Sequence, residues 1–561
     1  MAHAADASPP TGSTIGLVGP ADLWYKDAVI YSVNVETFQD SNGDGVGDFP
    51  GLTSRIEYLH GLGVTCIWLQ PYYPSPGRDN RYDVADYYGV DPRLGDLGDF
   101  VDFLRVARER GIRVMIDLVV NHTSDQHPWF RAARSDPDSP YRPYYVWADE
   151  PPANARDGMV FPGVESSCWT FDEVAGAWYF HRFYRHQPDL NLAHPAVREE
   201  IRKIMGFWLE LGVSGFRVDA APYLIDRKGT GSATLERGRM HSFFRYMRGF
   251  LSWRRGDAVL LAEANVPNEE VEQYAGTGDK LHMLFGFHLN PLLFSALATG
   301  EAAPLLEGIR RLAALPSTCQ WANFLRNHDE LDLQHLAPEL RRRVYDAFAP
   351  REDMRLYGRG IRRRLASMLD GDRQRLELAW SLMLSLPGTP VLYYGDEIGM
   401  GDDLRLPERE SVRTPMQWNR RANGGFSTAS PAQLVRPVVD DGRFGYAAVN
   451  VVDQQRDPGS LLSWIDRALR VRQTLPELRW GHMEVIPVDH PAVVAVRTSW
   501  RGASVVALHN LAGEPVVVRA CGEAELLGRR VEVFGDLRVP ETLTDDGAVA
   551  LAAFGYRWLR G

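Results

Sequence analysis

The chain has 561 residues, 45% of them apolar and 24% charged, with a formal net charge of −11. That balance is globular, and the acid excess, offset by no basic domain, argues against nucleic acid as a partner. No run approaches the ~20 apolar residues of a membrane span. The opening MAHAADASPPTGSTIGLVGP lacks the basic start and apolar stretch of a secretory signal, so a cytoplasmic setting is expected, with no membrane partner.

AVIYSVNV (28–35) predicts a strand, LTSRIEYLHGLG (52–63) a helix ending on Gly61 and Gly63, and VTCIWL (64–69) a second strand. LGDFVDFLRVARERG (97–111) has helical periodicity and a terminal Gly111, and IRVMIDLVV (112–120) is a third strand. Such alternation indicates βαβ units and a parallel sheet. Residues 123–186, rich in Pro, Asp, Ser and Trp, interrupt it and read as an inserted subdomain. It resumes with AVREEIRKIMGFWLELG (196–212) and VSGFRVD (213–219). AVLLAEA (258–264), KLHMLFGF (280–287), WANFLR (321–326) and TPVLYYG (389–395) bring the strands to eight, the number that closes a (β/α)8 TIM barrel.

A helix near 459–475 ends this region, and short β-rich runs after 482 predict a C-terminal antiparallel β domain. The expected organisation is a tail (1–22), a barrel (23–122 and 187–478), the insert (123–186) and the β domain (479–561). RGIRRR (359–364) reads as a solvated helix face. Most of the aromatic residues read as packing, and Trp68, Tyr72, Tyr73, Tyr82 and Trp129, which flank polar motifs, have stacking platforms in a pocket as the alternative reading. Cys66, Cys168, Cys319 and Cys521 include no C-x-x-C pair and imply neither a disulfide framework nor a zinc site.

Three acids close strand-length runs: Asp219 in GFRVDA, Glu263 in LAEAN and Asp329 in NHDE. In a parallel barrel those strand ends meet on the catalytic face. Glycoside chemistry needs two carboxyl groups across the bond, one to attack or stabilise the anomeric carbon and one to protonate the leaving oxygen. Arg217, two residues before Asp219, points to the same side of its strand and favours an ionised Asp219. Glu263 lies in an apolar run, a setting that suits an acid holding its proton. Asp329, beside His328, is placed to hold sugar hydroxyls and to favour a cationic transition state.

DSNGDGVGD (40–48) alternates oxygen donors at Asp40, Asn42, Asp44, the Val46 carbonyl and Asp48, with glycines allowing tight winding. Its first half matches an EF-hand loop, but loop position 12 is Gly51, so the expectation is a calcium loop of another kind, with an Asp/Gly turn without metal as the alternative.

DLVVNH (117–122), GFRVDA (215–220), LAEAN (261–265) and NHDE (327–330) resemble, in order and spacing, the four motif regions of the α-amylase superfamily of glycoside hydrolases. QPDLN (187–191) resembles its fifth region, and RTPMQW (413–418) is similar to a segment of its α-glucosidase and transglucosidase branch. WYKDAVIY, NHTSDQHPWF, FLRNHDEL and LPGTPVLYYGDEIGMGD extend the likeness to the trehalose synthase group, over most of the chain. The resemblance implies a retaining α-glucosyl transferase that interconverts maltose and trehalose through a covalent β-glucosyl-enzyme, acting on a small α-glucoside. It implies Asp219 as nucleophile, Glu263 as acid/base and Asp329 as transition-state stabiliser, with His122, His328, Gln187 and Arg217 around the same glucose. Tyr82 would stack on that glucose, and Asp79, paired with Arg413, would close the pocket's far end. A second structural calcium is implied at Asn121, Asp189, the Tyr223 and Leu224 carbonyls and Asp226, and a homo-oligomer is consistent with the group.

Three departures stand out. Arg81 replaces the glycine usual before the pocket tyrosine, and is expected at the pocket edge. Val266, Pro267 and Asn268 replace Gln-Trp-Pro after Asn265, on the expected acceptor side, and Cys168 stands where Asn is usual. The alternatives are an α-glucosidase or amylase-type hydrolase with the same residues, and transfer to another acceptor. A binding protein that kept only the fold is disfavoured by the intact acids.

Overall fold

The computed structural model describes residues 20–153, 155–224, 228, 237–521, 530–536, 538 and 548–561. Eight parallel strands close into a barrel: β1 (Ile30–Val33), β2 (Cys66–Leu69), β3 (Arg113–Leu118), β4 (Gly215–Val218), β5 (Val259–Ala262), β6 (Met283–Phe285), β7 (Gln320–Phe324) and β8 (Thr389–Tyr393). Each lies within one of the apolar runs above, except that β7 begins one residue earlier, at Gln320. They pair in sequence order, and β8 returns to β1 through Ile30 opposite Val391.

The strands are short because both faces are buried and only a few residues cross the barrel wall. One face fills the lumen with a cluster that includes Ile30, Cys66, Met115, Val259, Leu261, Met283, Phe285, Phe324 and Val391. Burying each large side chain there contributes about 1.5–3 kcal/mol. The other face packs on the surrounding helices, among them Leu97–Glu109 and Pro195–Leu211. Leu97–Glu109 starts at a capping box, Asp96 and Asp99 each accepting the other's backbone N–H. Gly215 is required by close approach: a Cβ there would lie 2.4 Å from the Val259 carbonyl oxygen of β5.

After β3 the chain leaves the barrel. Trp147–Ala148, Trp169–Asp172 and Ala177–Phe180 form a small antiparallel sheet. It is tied back by the isolated bridges His122–Asp189 and Tyr145–Leu190. At the C-terminus, five antiparallel strands begin with His482–Val485 and end with Tyr556–Arg560, and Val516–Val518 pairs with Val549–Leu551. This sheet docks on the barrel helix Arg373–Ser385, where Trp558 Nε1 donates to Ser381 Oγ (3.0 Å).

RGIRRR is not a solvated helix face. Gly360–Ile361 is a strand, Arg364 is fully buried against Asp396 (2.9 Å), and Arg362 is buried on the Leu404 and Leu406 carbonyls. The charge run is misleading because each cation finds a partner far along the chain. All four cysteines are unpaired, three of them buried and Cys521 exposed.

Candidate active site

The period of two in an extended strand carries charge from the lumen to the rim. Arg217 follows Gly215 on β4 and lies opposite Asp117 on β3, so both reach the top of the lumen. Asp219 stands two residues after Arg217, just past the end of β4, and Glu263 directly follows β5. Arg217 then binds three carboxylates: Nη1 donates to Asp117 Oδ1 (2.6 Å) and Asp219 Oδ1 (2.5 Å), and Nη2 lies 3.0 Å from Glu263 Oε2. Its guanidinium also sits 5.1 Å from the Trp68 ring centroid. Ala220 takes a left-handed conformation (φ +49°), which costs a non-glycine residue about 1–2 kcal/mol. That turn aims the Ala220 N–H at Glu263 Oε2 (2.9 Å) immediately after the nucleophile candidate.

Asp329 is held by Arg409 Nη1 (2.8 Å), Arg413 Nη2 (3.1 Å) and His328 Nε2 (3.2 Å). Burial pushes its carboxyl up, but His328, Arg409, Arg413 and Arg217 outweigh this and hold it well below the usual range. Asp219 moves the opposite way: burial and the nearby Glu263, Asp117 and Asp329 raise it against the pull of Arg217. Burial also pushes Asp117 up to about 6, with Glu263 adding to the rise and Arg217 and Trp68 opposing it. Asp219 and Asp117, crowded on one arginine, titrate together and hold a proton more tightly than isolated carboxylates do. The direction at Asp219 departs from the sequence expectation: burial and the neighbouring acids outweigh the pull of Arg217 toward the ionised form.

Tyr82 stacks on His328 (centroids 5.5 Å apart, 4° between planes), and its hydroxyl meets His328 Nε2 (2.8 Å) and Asp117 Oδ2 (3.1 Å). His328 is kept neutral by burial. His122 is buried, with Nε2 3.2 Å from the Tyr82 carbonyl and Nδ1 3.3 Å from Asn121 Nδ2. Burial lowers it to about 4, and Lys228 adds to that. Gln187 Nε2 donates to Asp79 Oδ2 (2.9 Å).

The arginine on Asp79 is Arg409 (2.8 Å), not Arg413, which goes instead to Asp329 and to the His328 carbonyl (2.8 Å). The 3-10 turn Glu408–Val412 brings both arginines to Asp329, and only the first reaches on to Asp79. Arg409 and Asp117 are the site residues that the sequence reading missed. Asp117 carried two signals, a charge inside the apolar run IRVMIDLVV and the first position of DLVVNH (117–122).

A cavity of about 440 Å³, a volume typical of small-molecule sites, opens over these groups. Glu263, Asp329 and Arg409 line it, together with Asn265, Asp332 and Gln334 and with Phe161 and Phe183 of the insert. Arg359 also lines it and ties the insert to the segment after β7, donating to the Val160 carbonyl (2.6 Å) and Glu330 Oε1 (2.8 Å), with Nε 3.3 Å from Asp332 Oδ2.

Arg81 is not at the pocket edge. It is buried between Glu36 and Asp91, in a left-handed conformation (φ +67°) that accounts for a glycine being usual there. Residues 266–268 also turn away: Val266 packs on the core and Asn268 donates to the Arg311 carbonyl (2.6 Å). Of the expected aromatic platforms Tyr82 and Trp68 adjoin the acids, Trp68 Nε1 donating to Asp117 Oδ2 (3.1 Å). Trp68 lies in the lumen, Tyr72 and Tyr73 pack among Phe100 and Trp208, and Trp129 packs on His127 and Tyr144. Cys168 is buried, its thiol 3.7 Å from the Asp157 carbonyl.

The two expected calcium sites differ. In loop 40–48 the oxygens of Asp40, Asn42, Asp44 and Asp48 accept the loop's own amides, including Gly45 N on Asp40 Oδ2 (2.9 Å) and Val46 N on Asp44 Oδ1 (2.8 Å). The donors are all oxygen, as a hard cation prefers. No group of three or more His, Cys, Asp or Glu side chains is gathered for a metal among the described residues. The second set does not fit an ion: the Lys228 ammonium lies against Asn121 and Asp189. Tyr223 instead lines the cavity, packing edge-on against Phe183 (5.5 Å). Leu224 is buried at the end of the turn Ala221–Leu224, and Asp226 lies outside the described residues.

A family model described as alpha amylase, catalytic domain, matches residues 32–341 and 361–481. The chain is 42% identical to a trehalose synthase of Pimelobacter sp. (strain R48), over 97% of each chain. It is 46% identical to the trehalose synthase/amylase TreS of Mycolicibacterium smegmatis, over 85% of this chain and 81% of that one. Among solved structures, the trehalulose synthase MutB from Pseudomonas mesoacidophila MX-45 superposes with a TM-score of 0.75 at 26% identity, over 96% of this chain and 99% of that one. Among the described residues no helix is long and apolar enough to cross a membrane.

Proposed function

The chain belongs to the α-amylase family, and from that premise we propose that it is an intramolecular α-glucosyl transferase, an isomerase of maltose and trehalose. The observation that carries the reading is the Arg217 fork. One guanidinium holds Asp219 Oδ1 and Glu263 Oε2, at 2.5 and 3.0 Å. Two carboxyl groups gathered on one fork supply the pair of acids that glycoside chemistry needs at one bond, and a retaining course is the one we propose for them.

In this reading Asp219 attacks C1 of the terminal glucose while Glu263 gives its proton to the departing glycosidic oxygen. A β-glucosyl ester on Asp219 and a free glucose result. The freed glucose turns within the pocket, its anomeric hydroxyl attacks C1, and Glu263 takes that proton back. Asp329, ionised by its three cationic or hydrogen-bonding neighbours, favours the positive charge that develops at C1. Asp79, Gln187 and Arg409 close the far end, which suits one terminal glucose and excludes longer chains.

Retention of the freed glucose depends on keeping water out, and the Arg359 contacts with Val160, Glu330 and Asp332 support that role. Loop 40–48 is proposed to take one structural calcium ion on Asp40, Asn42, Asp44, the Val46 carbonyl and Asp48.

Trapping tests the mechanism. A 5-fluoro-α-glucosyl fluoride reacts slowly at both steps, so a glucosyl adduct should accumulate and map to the peptide holding Asp219. An adduct on another residue, or none while the reagent is turned over, contradicts it.

A further inference from the structure

His122 comes from the barrel segment after β3, and Asp189 from the segment that leaves the insert; the two form an isolated bridge. At this seam four oxygens converge on Lys228 Nζ: Asn121 Oδ1 (2.7 Å), Asp189 Oδ2 (2.9 Å), the Asn121 carbonyl (3.0 Å) and the Leu190 carbonyl (3.1 Å). The Lys228 side chain is 7% exposed and Asp189 is fully buried. We propose that Lys228 is the resident cation of this junction, standing where the sequence suggested a second calcium ion.

The distances are those of hydrogen bonds. Calcium draws six to eight oxygens to about 2.3–2.6 Å. Charge points the same way: Asp189 and the ammonium neutralise each other, whereas a divalent ion beside that ammonium would leave a buried positive excess. Asp189 is further committed to the Arg182 N–H (2.8 Å) and Asn121 Nδ2 (3.2 Å), so the oxygens are fixed in place. The tethered cation ties the segment bearing His122 to the insert that walls the cavity. The catalytic face therefore keeps its shape here without a dissociable ion.

The proposal is tested by counting metal in protein dialysed against calcium, and by thermal melting. The wild-type protein should retain no ion beyond one bound by loop 40–48, and Asp44→Asn, an exposed substitution, should remove that one. An ion that survives Asp44→Asn but is lost in Asp189→Asn overturns the proposal. Lys228→Met should melt several degrees lower in chelator and gain one calcium per chain, with much of the loss recovered. If Lys228→Met melts like the wild type in chelator and gains no ion, the lysine is not the junction's cation. Should that variant fail to fold, the metal count on the wild type and Asp44→Asn still decides.

Discussion

Removing Arg409 should cost the enzyme its grip on the far end of the glucose, and removing Arg413 should not. Arg409 donates to Asp79 and to Asp329, each at 2.8 Å, from a largely buried position over the Phe161 ring. Each charge-assisted bond is worth about 1.5–3 kcal/mol. Arg409→Ala should therefore lose about 3–6 kcal/mol of transition-state stabilisation, a fall of roughly 10²–10⁴ in kcat/KM on maltose. Arg413 makes one carboxylate contact at the site and one to a carbonyl. Its loss should weaken Asp329 but leave Asp79 held. A double-mutant cycle separates the two: Asp79→Asn should couple to Arg409→Ala by about 1–3 kcal/mol and be additive with Arg413→Ala. Activity on maltotriose relative to maltose should rise in Arg409→Ala alone. Coupling of Asp79 to Arg413 with none to Arg409 would refute the pairing.

Two further outcomes follow from the same contacts. His122, lowered by burial from 6.5 to about 4, binds its proton more weakly folded than unfolded. Its contribution is present above about pH 6.5 and is lost as the pH falls towards 4, a change of about 3 kcal/mol. Asp117, raised to about 6, has the opposite sign. The comparison should therefore be urea midpoints of wild type and His122→Asn between pH 7 and 4; parallel pH profiles would contradict the assignment. Arg359→Ala, which opens the strap to Val160 and Glu330, should raise the free-glucose share of product by about tenfold, the effect of ~1.4 kcal/mol. An unchanged share would mean that water is excluded elsewhere.

The eight barrel strands were legible because strands buried on both faces must be continuous apolar runs, and their acidic ends stand out against them. Period two was enough to place Arg217 with Asp219. Contacts set by turns between distant segments were not legible. Arg409 reaches Asp79 across 330 positions through a 3-10 turn without helical or strand periodicity. Arg81 was assigned to the pocket from its neighbour Tyr82, although Glu36 and Asp91 draw it the other way. RGIRRR read as solvated because a charge run does not name its partners, and Asp396 and Glu330 lie 32 and 29 residues away from theirs. Lys228 carried no motif and acquires its role only where Asn121 and Asp189 meet.

The central claim, that the glucose released from maltose returns to the same enzyme-bound glucosyl group, is tested most directly by incubating the purified protein with maltose and following the anomeric protons by NMR. The account predicts trehalose as the main product with little free glucose, and no turnover in Asp219→Asn. Glucose as the sole product, or full activity in Asp219→Asn, would contradict it.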